Sequence, residues 1–130
     1  MKERKIKVLK VEPKKAPEVV LLDNNLRALQ EAVSIGADSV GLIEILPLEM
    51  SVCLLLNEEG KLIGLEPNRR FGRDILCGTF YVVGEDEEGN LTSLSEEEIE
   101  HYKEYFKEWE NIDVDEVEET IGINFIVIKD

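Results

Sequence analysis

Histidine occurs once in this chain, as His101, and cysteine twice, as Cys53 and Cys77. A four-ligand structural zinc site would therefore have to recruit carboxylates, which is unusual. Both cysteines sit in apolar stretches, "SVCLLLN" and "ILCGTF", and read as reduced core thiols. A nucleophilic triad needs histidine as its base, and no G-x-S-x-G elbow accompanies His101. The phosphate-binding patterns G-x-x-x-x-G-K-[ST] and G-x-G-x-x-G are also missing. The acidic stretches "GEDEEGN" and "DVDEVEE" lack the glycine and glutamate spacing of an EF-hand and read as solvated acid. No catalytic residue, metal site or cofactor is therefore expected. Long hydrophobic runs are missing too. Stretches such as Cys53–Leu56 are far too short to span a bilayer, so no membrane association is expected. The opening "MKERKIKVLKV" is basic but has no hydrophobic signal region, which leads us to expect a cytoplasmic protein.

What is present is a globular composition. The chain has 130 residues, 43% apolar and 34% charged, enough for one domain with its own core. Its net charge of -14 is unevenly placed. Residues 1–80 carry 12 Lys/Arg and 12 Asp/Glu, whereas residues 81–130 carry 3 and 17. The whole net charge thus lies in the second part. An acidic body repels phosphate, so direct nucleic-acid binding is not expected.

The pattern along the chain predicts an α+β fold with a mostly antiparallel sheet and two main helices packed on it. "KIKVLKV" and "EVVLLD" read as paired strands joined by the turn "EPKKAP". Leu26, Leu29 and Val33 mark a helix capped among Asp23, Asn24 and Asn25, with Gly36 as a stop. "SVGLIEILP" and "MSVCLLLN" are β-rich runs broken at Pro47–Glu49, and "ILCGTFYVVGE" is the strongest strand. "NEEG" reads as a hairpin turn, Gly64 as a bulge or a close approach, and "EPNRRFGRD" as a polar loop. Ser95 and Glu98 form a capping box. Ile99, Tyr102, Phe106 and Trp109 then place an aromatic stripe on a helix ending near Glu110. Residues 111–130 read as an acidic extension with a terminal strand, "INFIVIK". One domain over residues 1–130 is the simplest division.

The run "LNEEGKLIGLEPNRR", followed by "DILCGTFYVVGEDEEG" and "LTSLSEEEIEHYKEYF", resembles the DUF3846 family, small domains of unknown function from bacterial mobile elements and phages. The resemblance covers about residues 5–107. It implies a context but no chemistry, since no catalytic residue can be carried over.

Two candidate surfaces emerge. Asn68, Arg69, Arg70 and Arg73 could hold a phosphate or carboxylate, with Phe71 as a stacking surface. The bland alternative pairs one arginine with Asp74 or Glu66 and leaves the others solvated. Glu96, Glu97, Glu100, Tyr105 and Trp109 would face a protein partner. The expected function is a small acidic accessory protein, non-enzymatic and protein-binding. In the implied context it would be a mobile-element or phage regulator or an anti-defence factor. The alternatives are a small-ligand or nucleotide binder using the Asn68–Arg73 loop, and a homo-oligomeric structural protein.

Overall fold

The computed structural model describes residues 3–129, with side chains through residue 121. The first strands are β1 (Lys5–Val11) and β2 (Glu18–Asp23), an antiparallel pair with Val8 opposite Val20. Helix α1 (Leu26–Ala32) follows, with Asn25 as its N-cap. The cap oxygen accepts the Ala28 N–H at 2.9 Å, which satisfies one of the orphan donors of the first turn. The helix stops at Ala32, and a turn carries the chain on to Gly36.

β3 (Ile43–Glu49) and β4 (Val52–Asn57) form the next antiparallel pair, closed by Met50 and Ser51. β3 runs straight through Pro47, where the sequence pattern indicates a break. Its edge position explains this, because a proline lacking an N–H is tolerated where no neighbour needs one. The register shifts between Pro47 and Glu49.

Two short strands, β5 (Pro67–Phe71) and β6 (Asp74–Cys77), pair only with each other. The supposed polar loop is thus a hairpin with Gly72 and Arg73 at its tip. Gly72 has φ +62°, the left-handed backbone that two-residue hairpin turns demand. β7 (Phe80–Glu85) is central, flanked by β1 and β4, and β8 (Leu91–Thr92) pairs with its far end. The main sheet therefore runs β2-β1-β7-β4-β3 and is antiparallel throughout. The expected α+β class holds.

Helix α2 (Glu96–Tyr105) covers one face. Its capping box closes as the sequence suggests, with Ser95 Oγ accepting from Glu98 N and Glu98 Oε1 accepting from Ser95 N. Ile99, Tyr102 and Phe106 bury against Leu9, Val11 and Phe80. The Phe106 ring meets Phe80 edge-on at 5.2 Å. On the other face, Leu29 and Val33 cover Ile6, Val8 and Tyr81.

The terminal strand expected at "INFIVIK" is instead part of helix α3 (Val114–Lys129). Asp113 starts it, its carboxylate accepting the Asp115 N–H at 3.0 Å. Val117 and Ile121, spaced by four, then pack with Leu65, Ile75 and Cys77. That helical spacing and the capping aspartate outweigh the β-branched composition of the segment.

Candidate functional site

The two consecutive arginines of β5 have opposite fates. Arg69 is 5% exposed and Asn68 1%. Asn68 Nδ2 donates to the carbonyls of Val11 and Gly78, both at 2.8 Å. Its Oδ1 accepts from Arg69 Nη1 at 2.7 Å. Arg69 reaches the Phe106 carbonyl through Nε at 3.1 Å and Nη2 at 2.9 Å. Nη2 also donates to Lys15 O at 2.6 Å, and Nη1 to Glu12 O at 3.4 Å. All five guanidinium N–H groups thus have acceptors within the fold. Burial draws the Arg69 guanidinium below its ordinary pKa, but a guanidinium stays protonated in proteins.

This clamp also corrects the helix length. The Phe106 carbonyl would receive the Glu110 N–H if α2 continued. Arg69 takes it instead, and α2 ends at Tyr105 with Phe106 as its cap. Trp109 therefore leaves the apolar stripe and is 47% exposed.

Arg70 points to solvent. Its Nε donates to Glu110 at 2.6 Å and its Nη2 to Glu116 at 2.5 Å. Those hydrogen bonds, to Glu110 first, raise its pKa. The partners expected for an arginine here, Asp74 and Glu66, pair instead with Lys61 and Lys14. Arg73 occupies the hairpin tip and shares a depression with Arg70, Glu116 and Glu119 that neither Asn68 nor Arg69 lines. The arginines therefore do not converge on one cradle.

Two of the sequence-derived groups do meet. Asn68, Arg69 and Arg70 line a cleft of about 290 Å³ with Tyr105, Phe106 and Trp109. Tyr105 is 58% exposed at its mouth. Glu97 and Glu100 lie exposed on α2, while Glu96 is held by Lys7 at 3.1 Å. The cleft has an aromatic rim and a polar wall whose donors already face protein acceptors.

Other residues have structural roles. His101 stands exposed, edge-on to Tyr102 at 4.7 Å. Tyr102 O–H donates to Glu49 at 2.8 Å, and burial is the main cause of its raised pKa. Asp86 accepts from the backbone of Asn90 and Glu88, both at 2.9 Å, which organises the acidic turn. Its carboxyl is lowered chiefly by the Asn90 N–H. Burial pushes both thiols, Cys53 and Cys77, up to about 11. Among the described residues no helix is long and apolar enough to cross a membrane.

A second concavity, of about 370 Å³, escaped sequence reasoning. It lies between β6, Ile121 of α3 and the turn following β4. "NEEG" is a turn, but not a hairpin turn. β4 pairs with β3 and β7, and the chain after Gly60 coils through Ile63 N–H to Glu59 O and Leu65 N–H to Gly60 O. The close approach expected at Gly64 belongs to Gly60, where a Cβ would stand 2.8 Å from Cys77 O. The only local signal was the pair of glutamates beside a buried asparagine.

No curated protein and no solved structure matches this chain. The model of DUF3846, a domain of unknown function, matches residues 6–107. That span holds β1 through α2, including the Arg69 clamp and the aromatic rim up to Phe106. The chain belongs to the DUF3846 family.

Proposed function

We propose that this domain is a non-enzymatic, cytoplasmic protein-binding module whose partner presents basic and apolar groups to the outer side of α2. The observation that carries the reading is the pair of exposed aromatics, Tyr105 and Trp109, at a cleft that the exposed Glu108 also lines, at the end of a helix whose earlier turns expose Glu97 and Glu100. Exposed aromatic anchors within charged surroundings are typical of interfaces. Long-range attraction would come from residues 81–130, which hold the entire net charge. In the mobile-element or phage setting that the family resemblance implies, such a protein would occupy the DNA-binding face of a host protein. Its carboxylates would stand where phosphates otherwise lie.

The saturated Arg69 favours this reading over an anion cradle at Asn68–Arg73, because Arg69 has no N–H left for a ligand. The test is retention of a host protein on the immobilised domain. Retention should fall steeply between low and high salt, and duplex DNA should compete for the retained protein. A Tyr105→Ala, Trp109→Ala variant should lose it. Salt-independent retention, or equal retention by the variant, overturns the proposal.

A further inference from the structure

The cavity beside β6 is a different kind of place from the cleft at α2. Its floor is apolar, formed by Leu56, Ile75, Leu76 and Ile121. Its volume of about 370 Å³ falls in the range of small-ligand pockets. The wall opposite β6 is firmly placed. Asn57 is buried, and its Oδ1 accepts the Glu59 N–H at 2.9 Å while its Nδ2 donates to Ser34 Oγ at 3.3 Å. Gly60 closes the turn onto Asn57 O at 3.2 Å and sits against Cys77 O, with no room there for a side chain.

The polar rim is predominantly acidic. Lys61, the only cation among the described lining residues, is engaged by Asp74 and by Thr120 Oγ1. Glu44, Glu58 and Glu59 are exposed, and no ion pair holds them among the described residues. An aliphatic floor under three carboxylates with no ion pair among the described residues selects a ligand with an apolar body and a positive end.

We propose that this cavity binds a small organic cation, an alkylammonium whose hydrocarbon stem enters between β6 and Ile121 and whose ammonium group meets Glu44, Glu58 and Glu59. The stem displaces water from the aliphatic floor. The ammonium stays at the wet rim, so it keeps most of its hydration while gaining the field of three charges.

The experiment is an amide NMR titration of the full chain at neutral pH with hexylammonium, hexanoate and methylammonium. Hexylammonium should give saturable shifts at residues 57–62 and 74–77. Hexanoate carries the wrong charge and methylammonium lacks the stem, so each should bind at least about fivefold more weakly. A Glu44→Gln, Glu58→Gln, Glu59→Gln variant changes only exposed side chains and should fold. It should lose at least about fivefold in hexylammonium affinity. Equal binding of hexanoate or methylammonium overturns the proposal. So does undiminished binding by the variant, or the lack of saturable shifts at those residues.

Discussion

The β5–β6 hairpin has a concavity on each side, and the two are built on opposite principles. β5 lines the cleft at the end of α2, where cationic groups meet carbonyls and carboxylates of the same chain. β6 lines the cavity under the turn after Asn57, where three carboxylates meet solvent. Charge on the first side holds the fold together. Charge on the second is left available. A run of arginines in sequence is therefore no guide to an open anion cradle here, because Arg69 spends its donors on the fold and Arg70 on carboxylates of the same chain.

The sharpest break of this contrast is Arg69→Met. The substitution keeps the stem but removes every donor, leaving the carbonyls of Phe106, Lys15 and Glu12 and the Asn68 oxygen without their partner. Unsatisfied buried acceptors, once served by a charged donor, cost about 3 kcal/mol or more. Urea unfolding should show that loss, with α2 losing helicity at its C-terminal turn. Arg69→Lys should recover little, because an ammonium cannot span acceptors on two sides. A loss below about 1 kcal/mol would mean that the clamp is not structural.

On the other side, Gly60→Ala tests whether the cavity wall is fixed. The new Cβ would sit 2.8 Å from the Cys77 carbonyl, and that neighbour is backbone. Either the turn lifts from β6 or the hairpin shifts, at about 1–3 kcal/mol. Amide shifts should concentrate at residues 57–62 and 74–77. Unchanged stability would show that the wall yields freely.

How much of this was legible in the sequence depends on where each signal is local. The Ser95–Glu98 capping box, the β1–β2 pair and the Leu29–Val33 face are set by neighbours within a turn or a short hairpin, and all appear as the pattern suggests. The end of α2 is set by Arg69, distant in sequence, so the aromatic spacing overran it to Trp109. The β5–β6 pairing was hidden because β5, Pro67–Phe71, has three consecutive polar residues at its centre and lacks alternation. The bulge between Pro67 and Arg69 places Asn68 and Arg69 both inside. The cavity needs α3, β6 and the turn together, and no single stretch announces it.

Alkali compares the main sheet with the β5–β6 hairpin more gently. Cys53 lies under α1 and Cys77 at the cavity, and burial raises both thiols to about 11 from an ordinary 9.0. The folded state therefore favours the neutral thiol more than the unfolded chain does. That contribution is complete below the unfolded value and is lost as pH climbs toward the folded one. Unfolding midpoints should fall from about pH 9 to about pH 11. A Cys53→Ala, Cys77→Ala variant should show a shallower fall in that window. Tyr81, raised by burial to about 12, should keep part of the slope in both proteins. A variant as steep as the native protein would assign the alkaline loss elsewhere.

The smallest effect should come from Arg70, and its smallness is informative. Arg70 carries two carboxylate contacts and is the better ion pair on paper, yet nearly half of its side chain is exposed. Water already solvates all three partners, and holding long side chains in one geometry costs entropy that offsets the attraction. Arg70→Ala should therefore leave the unfolding midpoint close to that of the native protein, and added salt should shrink what difference remains. The loop from Asn111 to Asp113, next to Glu110, should exchange its amide hydrogens faster once the tie to β5 is gone. If Arg70→Ala were as damaging as Arg69→Met, burial would not be what separates these neighbours. The cleft would then be held shut by its exposed ion pairs, and any partner would have to break them before reaching Tyr105 and Trp109.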